Sequence, residues 1–229
     1  MKATDTEHPL VLRSITVGSF AENTYLLGDR DVEFGVLVDP GDEAMQLLEM
    51  ATAEGLRIGE IWLTHAHLDH VGAVAEVVQQ TSASIFLHPD DGFLYETVAE
   101  QAQAFGVEIV QPPPVDRWLR TGDALSVGRF AFDVLHVPGH SPGHVAFHCV
   151  SEGLIVSGDC LFAGSIGRTD LPGGSLAVLL ESIDQRFMTL SDATHVLPGH
   201  GPATTIGAER VDNPFLAAAF RESLVPGSL

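Results

Sequence analysis

The segment Thr64-His65-Ala66-His67-Leu68-Asp69-His70 sets three imidazoles and a carboxylate within six residues. Histidine is the commonest protein metal ligand. His65 and His67 are two apart, so both face the same way on an extended segment. Asp69 and His70 stand at the turn into a helix, where they can face a second point nearby. Packing these groups together without a metal would crowd polar groups that are costly to bury. The spacing is not that of H-E-x-x-H, which needs two histidines one helical turn apart. It is a loop constellation.

Three further residues share its context. His140 lies in Val137-Pro138-Gly139-His140-Ser141-Pro142-Gly143-His144. Asp159 lies in Ser157-Gly158-Asp159-Cys160, and His200 in Leu197-Pro198-Gly199-His200-Gly201. Each follows an apolar run and sits in a glycine-containing turn, and glycine lets the backbone bend and approach closely. Together with the first segment this gives His65, His67, His70, His140, His200, Asp69 and Asp159. So many N and O donors exceed one tetrahedral metal with an open position. They suit two metals if one Asp bridges. Imidazole with carboxylate favours Zn, Fe or Mn over Cu(I). His144 is either an outer hydrogen-bond partner of a ligand or a structural residue. His8, His88, His136, His148 and His195 receive no role. Cys160 would point away from Asp159 on an extended chain and reads as core packing. Phe20, Phe93 and Phe162 read as core rather than pocket lining.

Positioning these loops requires rigid strands behind them. Apolar runs predict strands at 10–17, 23–27, 34–38, 58–63 and 84–87, then at 124–127, 130–136, 144–150, 154–156 and 194–197. Helical patterns predict helices at 42–54, 70–80, 91–105 and 175–188, and at 208–222 with an interruption at Pro214. Asp42 is the expected N-cap of the first, with Met45, Leu47 and Leu48 on one face and Gly55 as its stop. The segment 111–120, with Pro112, Pro113 and Pro114, is expected to be a loop. Strands and helices thus recur in two similar halves, which suits a sandwich of two mixed sheets with helices outside.

Composition narrows the class. The chain has 229 residues, 45% of them hydrophobic, enough for a large core in one domain spanning 1–229. Its 31 acidic and 11 basic residues give a net charge of -20. That opposes nucleic-acid binding, which draws on clusters of Lys and Arg. Cys149 and Cys160 are too few for a disulfide framework or a Cys-based zinc site. Residues 1–10 hold no apolar run for a leader, and no stretch approaches a membrane span. The expectation is a cytoplasmic protein, not membrane-bound, acting as a monomer or small homo-oligomer.

In this order and spacing, the seven residues resemble the metallo-β-lactamase superfamily over about residues 10–215. The resemblance implies an αββα four-layer sandwich with the metal site at one edge between the sheets. Gly139-His140-Ser141-Pro142-Gly143-His144 and the run Gly158 to Asp170 look most like glyoxalase II-like hydrolases. In that pattern His65, His67 and His140 hold one metal. Asp69, His70 and His200 hold a second, and Asp159 bridges. Asp39, in Val38-Asp39-Pro40-Gly41, is either a turn residue or a support of the site by analogy.

The chain departs from full-length glyoxalase II in two places. Only residues 201–229 follow His200, too few for the helical domain that helps grip glutathione. Gly167-Arg168-Thr169-Asp170 replaces the family's G-K-F-Y, so Arg168 is the remaining candidate for meeting a substrate carboxylate. Leu171-Pro172-Gly173-Gly174-Ser175 and Asn213-Pro214-Phe215-Leu216 resemble the short, single-domain members.

The reaction implied is hydrolysis of a small-molecule thioester such as a hydroxyacylglutathione. Two divalent metals, Zn and/or Fe with Mn as an option, would share a hydroxide, and Asp69 would orient it as a catalytic residue. An alternative in another reaction class is an iron-dependent persulfide dioxygenase using His65, His140 and Asp159. A lactonase, a nuclease and a non-enzymatic metal-binding module rank below it.

Overall fold

The computed structural model describes residues 8–224. The polar N-terminal stretch that argues against a leader falls largely outside the described residues. One sheet takes its strands in chain order: β1 (Leu10–Val17), β2 (Glu22–Asp29), β3 (Phe34–Val38), β4 (Arg57–Trp62), β5 (Ser84–Leu87) and β6 (Arg117–Trp118). β1 to β3 pair antiparallel, and β3 to β6 pair parallel. The second sheet uses β7 (Ala124–Val127), β8 (Phe130–His136), β9 (Val145–Cys149), β10 (Leu154–Gly158), β13 (His195–Pro198) and β14 (Thr204–Thr205). It is ordered β14-β13-β10-β9-β8-β7, and only β10 and β13 run parallel. Between β10 and β13, β11 (Leu161–Phe162) and β12 (Ser165–Ile166) form a small hairpin.

Side-chain alternation assigns the layers. Leu26, Leu37 and Ile61 face outward, against Leu47 of α1 (Ala44–Ala53) and Val74 and Val77 of α3 (Val74–Thr81). Their neighbours Leu27, Val36, Val38 and Trp62 face the other sheet and meet Phe132, Val145, Phe147 and Val156. Trp62 packs edge-on to Phe132, with ring centroids 5.4 Å apart. On the far side, Ala146, Ile155 and Val196 pack against Leu179 and Ile183, along α6 (Leu176–Ser182) and its π-helical continuation Ile183–Phe187. Both sheets are therefore buried on both faces, as mixed sheets covered by helices must be. The architecture is the αββα sandwich. Among the described residues, no helix is long and apolar enough to cross a membrane.

Several expected helices are broken where the chain serves the site. The 70–80 helix is two pieces, α2 (Leu68–Val71) and α3, parted at Gly72 and Ala73. The 91–105 helix divides at Thr97 into α4 (Gly92–Glu96) and α5 (Val98–Ala104), after a short turn at Pro89–Asp91. The tail, by contrast, is interrupted around Pro214 as expected, between α7 (Ile206–Asp212) and α8 (Ala218–Ser223). Asp42 caps nothing: α1 starts after Glu43 with no side-chain cap, and Met45 is exposed while Ala44, Leu47 and Ala51 are buried. Within the expected loop, Arg117–Trp118 adds a short parallel edge strand to β5.

His88 and His136 were expected to be bland, and with Asp90 their donor atoms come within 4.8 Å of one another. The two imidazoles stack at 4.2 Å and 9°. Lone pairs in parallel ring planes run side by side and do not converge on an ion. Burial, helped by the facing His136 ring, pushes His88 down to about 4. A histidine depressed in the fold supports stability above its unfolded pKa of about 6.5 and withdraws that support as pH falls toward the folded value. The urea midpoint of metal-free protein is expected to drop more between pH 7 and pH 5 than that of His88→Asn. Equal drops would contradict this reading.

Candidate metal centre

The donors sit where strands end. Asp39 follows β3, the His65–His70 segment follows β4, Asp159 follows β10 and His200 follows β13. His140 lies in the loop from β8 to β9. In sheets of this kind, ligands bind outside the carboxyl ends of parallel strands. The two sheets are stitched together at this edge. The amide of Val145 donates to Thr64 O at 2.8 Å, that of Asn23 to Gly199 O at 2.7 Å, and the Tyr25 hydroxyl to Pro198 O at 2.7 Å.

All seven predicted residues meet. His65 Nε2 and His67 Nδ1 lie 3.1 and 2.9 Å from His140 Nε2. Asp69 Oδ2 lies 3.3 Å from His200 Nε2 and 3.9 Å from His70 Nε2. Either trio could hold an ion. Asp159 spans them: its Oδ1 is 3.5 Å from His70 Nε2, and its Oδ2 is 3.6 Å from His140 Nε2 and 3.5 Å from His200 Nε2.

The outer ring nitrogens explain why the inner ones are lone pairs. His65 Nδ1–H donates to Thr64 Oγ1 (3.0 Å) and His70 Nδ1–H to Asp39 Oδ2 (3.0 Å). His140 Nδ1–H donates to Arg168 O (2.8 Å) and His200 Nδ1–H to Ala21 O (3.2 Å). Each ring is thereby fixed with an acceptor nitrogen pointing inward, the arrangement that orients a ligand. His67 Nε2, His70 Nε2 and Asp159 Oδ1 are buried without any hydrogen-bond partner. Lone pairs from His65, His67 and His140 about 3 Å apart repel one another, and a cation is what such a donor set accommodates.

The charges divide accordingly. Burial, with the surrounding imidazoles, holds His65 well below the usual histidine range and pushes His67 down to about 3. Burial also opposes charge on His70 and His200. There the Asp159 and Asp69 carboxylates outweigh it, holding His70 high and lifting His200 to about 10.

Asp39 is more than a turn residue. Its Oδ1 accepts the Thr64 amide at 2.7 Å, and its Oδ2 accepts the Thr64 hydroxyl at 2.6 Å as well as His70. It fixes His70 directly and His65 through Thr64, one ligand of each trio. Its backbone sits at φ 51°, in the left-handed region that Asp tolerates better than most residues. His144 also supports the site: its Nε2 accepts the Asp159 amide at 3.0 Å. Cys160 is core, as its alternation implies, with Sγ donating to Val137 O.

Two supports escaped the sequence reading. Asp91, fully buried, accepts from the Ala66 amide, the Ser141 hydroxyl and the Gly143 amide at 3.1, 2.7 and 2.6 Å. It ties the loop of His65 and His67 to the loop of His140. Glu22, fully buried behind His70 Nδ1 at 3.9 Å, is pushed well above the usual carboxylate range by burial. The only sequence signal for either was a carboxylate beside a strand end.

A cavity of about 610 Å³ opens onto His67, Asp69, His140, Asp159 and His200. Phe20 and Phe162, expected in the core, line it instead. Phe93 is exposed. Arg168 also lines the cavity, and its guanidinium grips Asp170 at 2.7 and 2.8 Å.

Comparison with known proteins places the chain in a family. Residues 17–202 match the metallo-β-lactamase superfamily, and the chain belongs to it. It is a metallo-hydrolase of that superfamily. A hydroxyacylglutathione hydrolase, GloC of Haemophilus influenzae, is 40% identical over 88% of this chain and 96% of its own length. The crystal structure of TTHA1623 in a di-iron-bound form is 47% identical, with TM-score 0.81 over 89% of this chain and all of that one. BLEG-1, a B3 metallo-β-lactamase, is 40% identical, with TM-score 0.85 over 91% of this chain and all of that one.

Because Asp39 orients a ligand of each trio, Asp39→Asn is expected to weaken metal binding about 10–100-fold. Competition with a chromophoric chelator measures this. Wild-type affinity in that variant would remove Asp39 from the site.

Proposed function

We propose that the protein is a dinuclear metal-dependent thioester hydrolase of the glyoxalase II-like kind. The observation that carries this reading is the placing of Asp159 between two trios, with one oxygen toward His70 and the other toward His140 and His200. His65, His67 and His140 would hold one metal, Asp69, His70 and His200 would hold the other, and Asp159 would reach both. Zn and Fe are the expected metals, with Mn as an option, and the di-iron form of the TTHA1623 relative supports Fe.

When bound, the metal pair supplies a water whose pKa falls to about 7 and positive charge for an oxyanion. The chain's residues do the rest. Asp69, 18% exposed at the cavity floor, accepts a hydrogen bond from the attacking water and aims it. The cavity wall holds the thioester with its carbonyl toward the ligands. As the C–O bond forms and the C–S bond breaks, a thiolate leaves. Its parent thiol has a pKa of about 8.5, so it departs without a dedicated acid. No such acid is needed among the residues at the floor. One domain carries the whole activity in this reading, in the cytoplasm, as a monomer or small homo-oligomer.

Asp159→Ala is expected to lose metal and thioesterase activity together, read by metal analysis beside release of free thiol. Full activity in that variant would overturn the dinuclear reading. Oxygen uptake with glutathione persulfide, without thioester cleavage, would replace it with the dioxygenase.

A further inference from the structure

The cavity above the ligands is chemically lopsided. Its wall is built from Phe20, Leu94, Phe105, Phe162, Ile166 and Leu171. Two polar side chains stand beside them, each with a donor already bound to backbone. Gln101 donates its amide to Leu94 O at 2.7 Å, and Ser165 donates to Ile166 O at 3.4 Å. Arg168 is the one Lys or Arg among the described lining residues, and its guanidinium already holds Asp170 in an exposed ion pair.

Phe20 and Phe105 come from opposite sides of this opening. Phe20 lies in the turn from β1 to β2, and Phe105 ends α5. They are 38% and 53% exposed, yet their rings meet edge to face at 5.7 Å and 87°. Exposed aromatic pairs that border a pocket supply contact area for an apolar ligand. The chain's charge of -20 meanwhile lowers the local concentration of anions. A glutathione thioester brings two carboxylates and one ammonium, and this wall offers the carboxylates one cation that is already paired.

We infer that Phe20 and Phe105 are specificity-determining residues, and that they select a thioester whose sulfur-side group is uncharged and apolar, aryl or alkyl, over a glutathione thioester. This rests on the thioesterase reading above and narrows its substrate class.

The test compares S-benzyl thiolactate with S-lactoylglutathione, which share one acyl group and differ only on sulfur. The metal-loaded enzyme is expected to show a kcat/KM at least about tenfold higher for the benzyl ester, the scale of one aromatic contact. In Phe20→Ala and Phe105→Ala that ratio is expected to fall about tenfold through KM, and Phe105→Leu should restore part of it. A preference for S-lactoylglutathione, or a ratio unmoved in both alanine variants, overturns the inference and leaves thioester hydrolysis standing. A second arm titrates the metal-free protein with the non-hydrolysable thioether of the benzyl ester by calorimetry. Binding that both alanine variants weaken supports the apolar site even where no thioester is cleaved, a result that would sink the thioesterase reading alone. Absence of both binding and cleavage overturns the two together.

Discussion

The carboxylate of Asp159 is the point on which the site depends. It is buried at the floor of the cavity, it faces three imidazoles, and one oxygen has no hydrogen-bond partner. A buried carboxylate in that position is costly unless it is paired with positive charge. The chain nevertheless spends several devices on keeping it there. His144 holds its amide. Gly158 takes φ 49°, and a Cβ there would lie 2.6 Å from Thr64 Oγ1. A Cβ on Gly199 would overlap the Asp159 carboxylate itself. Two glycines from two strand ends therefore shape the space around one side chain, and proton or metal must supply the compensating charge.

The sandwich follows from the same need. Donors from β3, β4, β10, β13 and the β8–β9 loop can meet only where the two sheets share an edge. There the sheets are joined by hydrogen bonds from Asn23, Tyr25 and Val145, and by Asp91 beneath the two histidine loops. Much of the packing behind them, including the Trp62, Phe132 and Phe147 cluster, fixes the distance between sheets and hence between trios.

The seven clustered residues were legible in the sequence because metal chemistry would restrict residue type and because each stands just after an apolar strand. The layers were legible from alternation: Leu26 and Leu27, or Ile61 and Trp62, face opposite cores. What was hidden depends on long-range contact. Nothing local distinguishes Asp91 from a helix-starting aspartate, since its partners come from residues 66, 141 and 143. Helices α2 and α4 read as parts of longer ones because their local patterns continue, while the fold breaks them to aim His70 and to seat Asp91. Phe20 and Phe162 read as core because apolar residues usually are, and only the meeting of distant loops turns them toward a cavity.

The proposed dinuclear centre requires Asp159 to stand between two ions. Anomalous diffraction from crystals of protein purified without added metal, recorded at the Zn and Fe edges, tests it most directly. Two peaks are predicted, one among His65, His67 and His140 and one among Asp69, His70 and His200, with Asp159 reaching both. A single peak against His65, His140 and Asp159, or no peak at all in protein that retains activity, would contradict it.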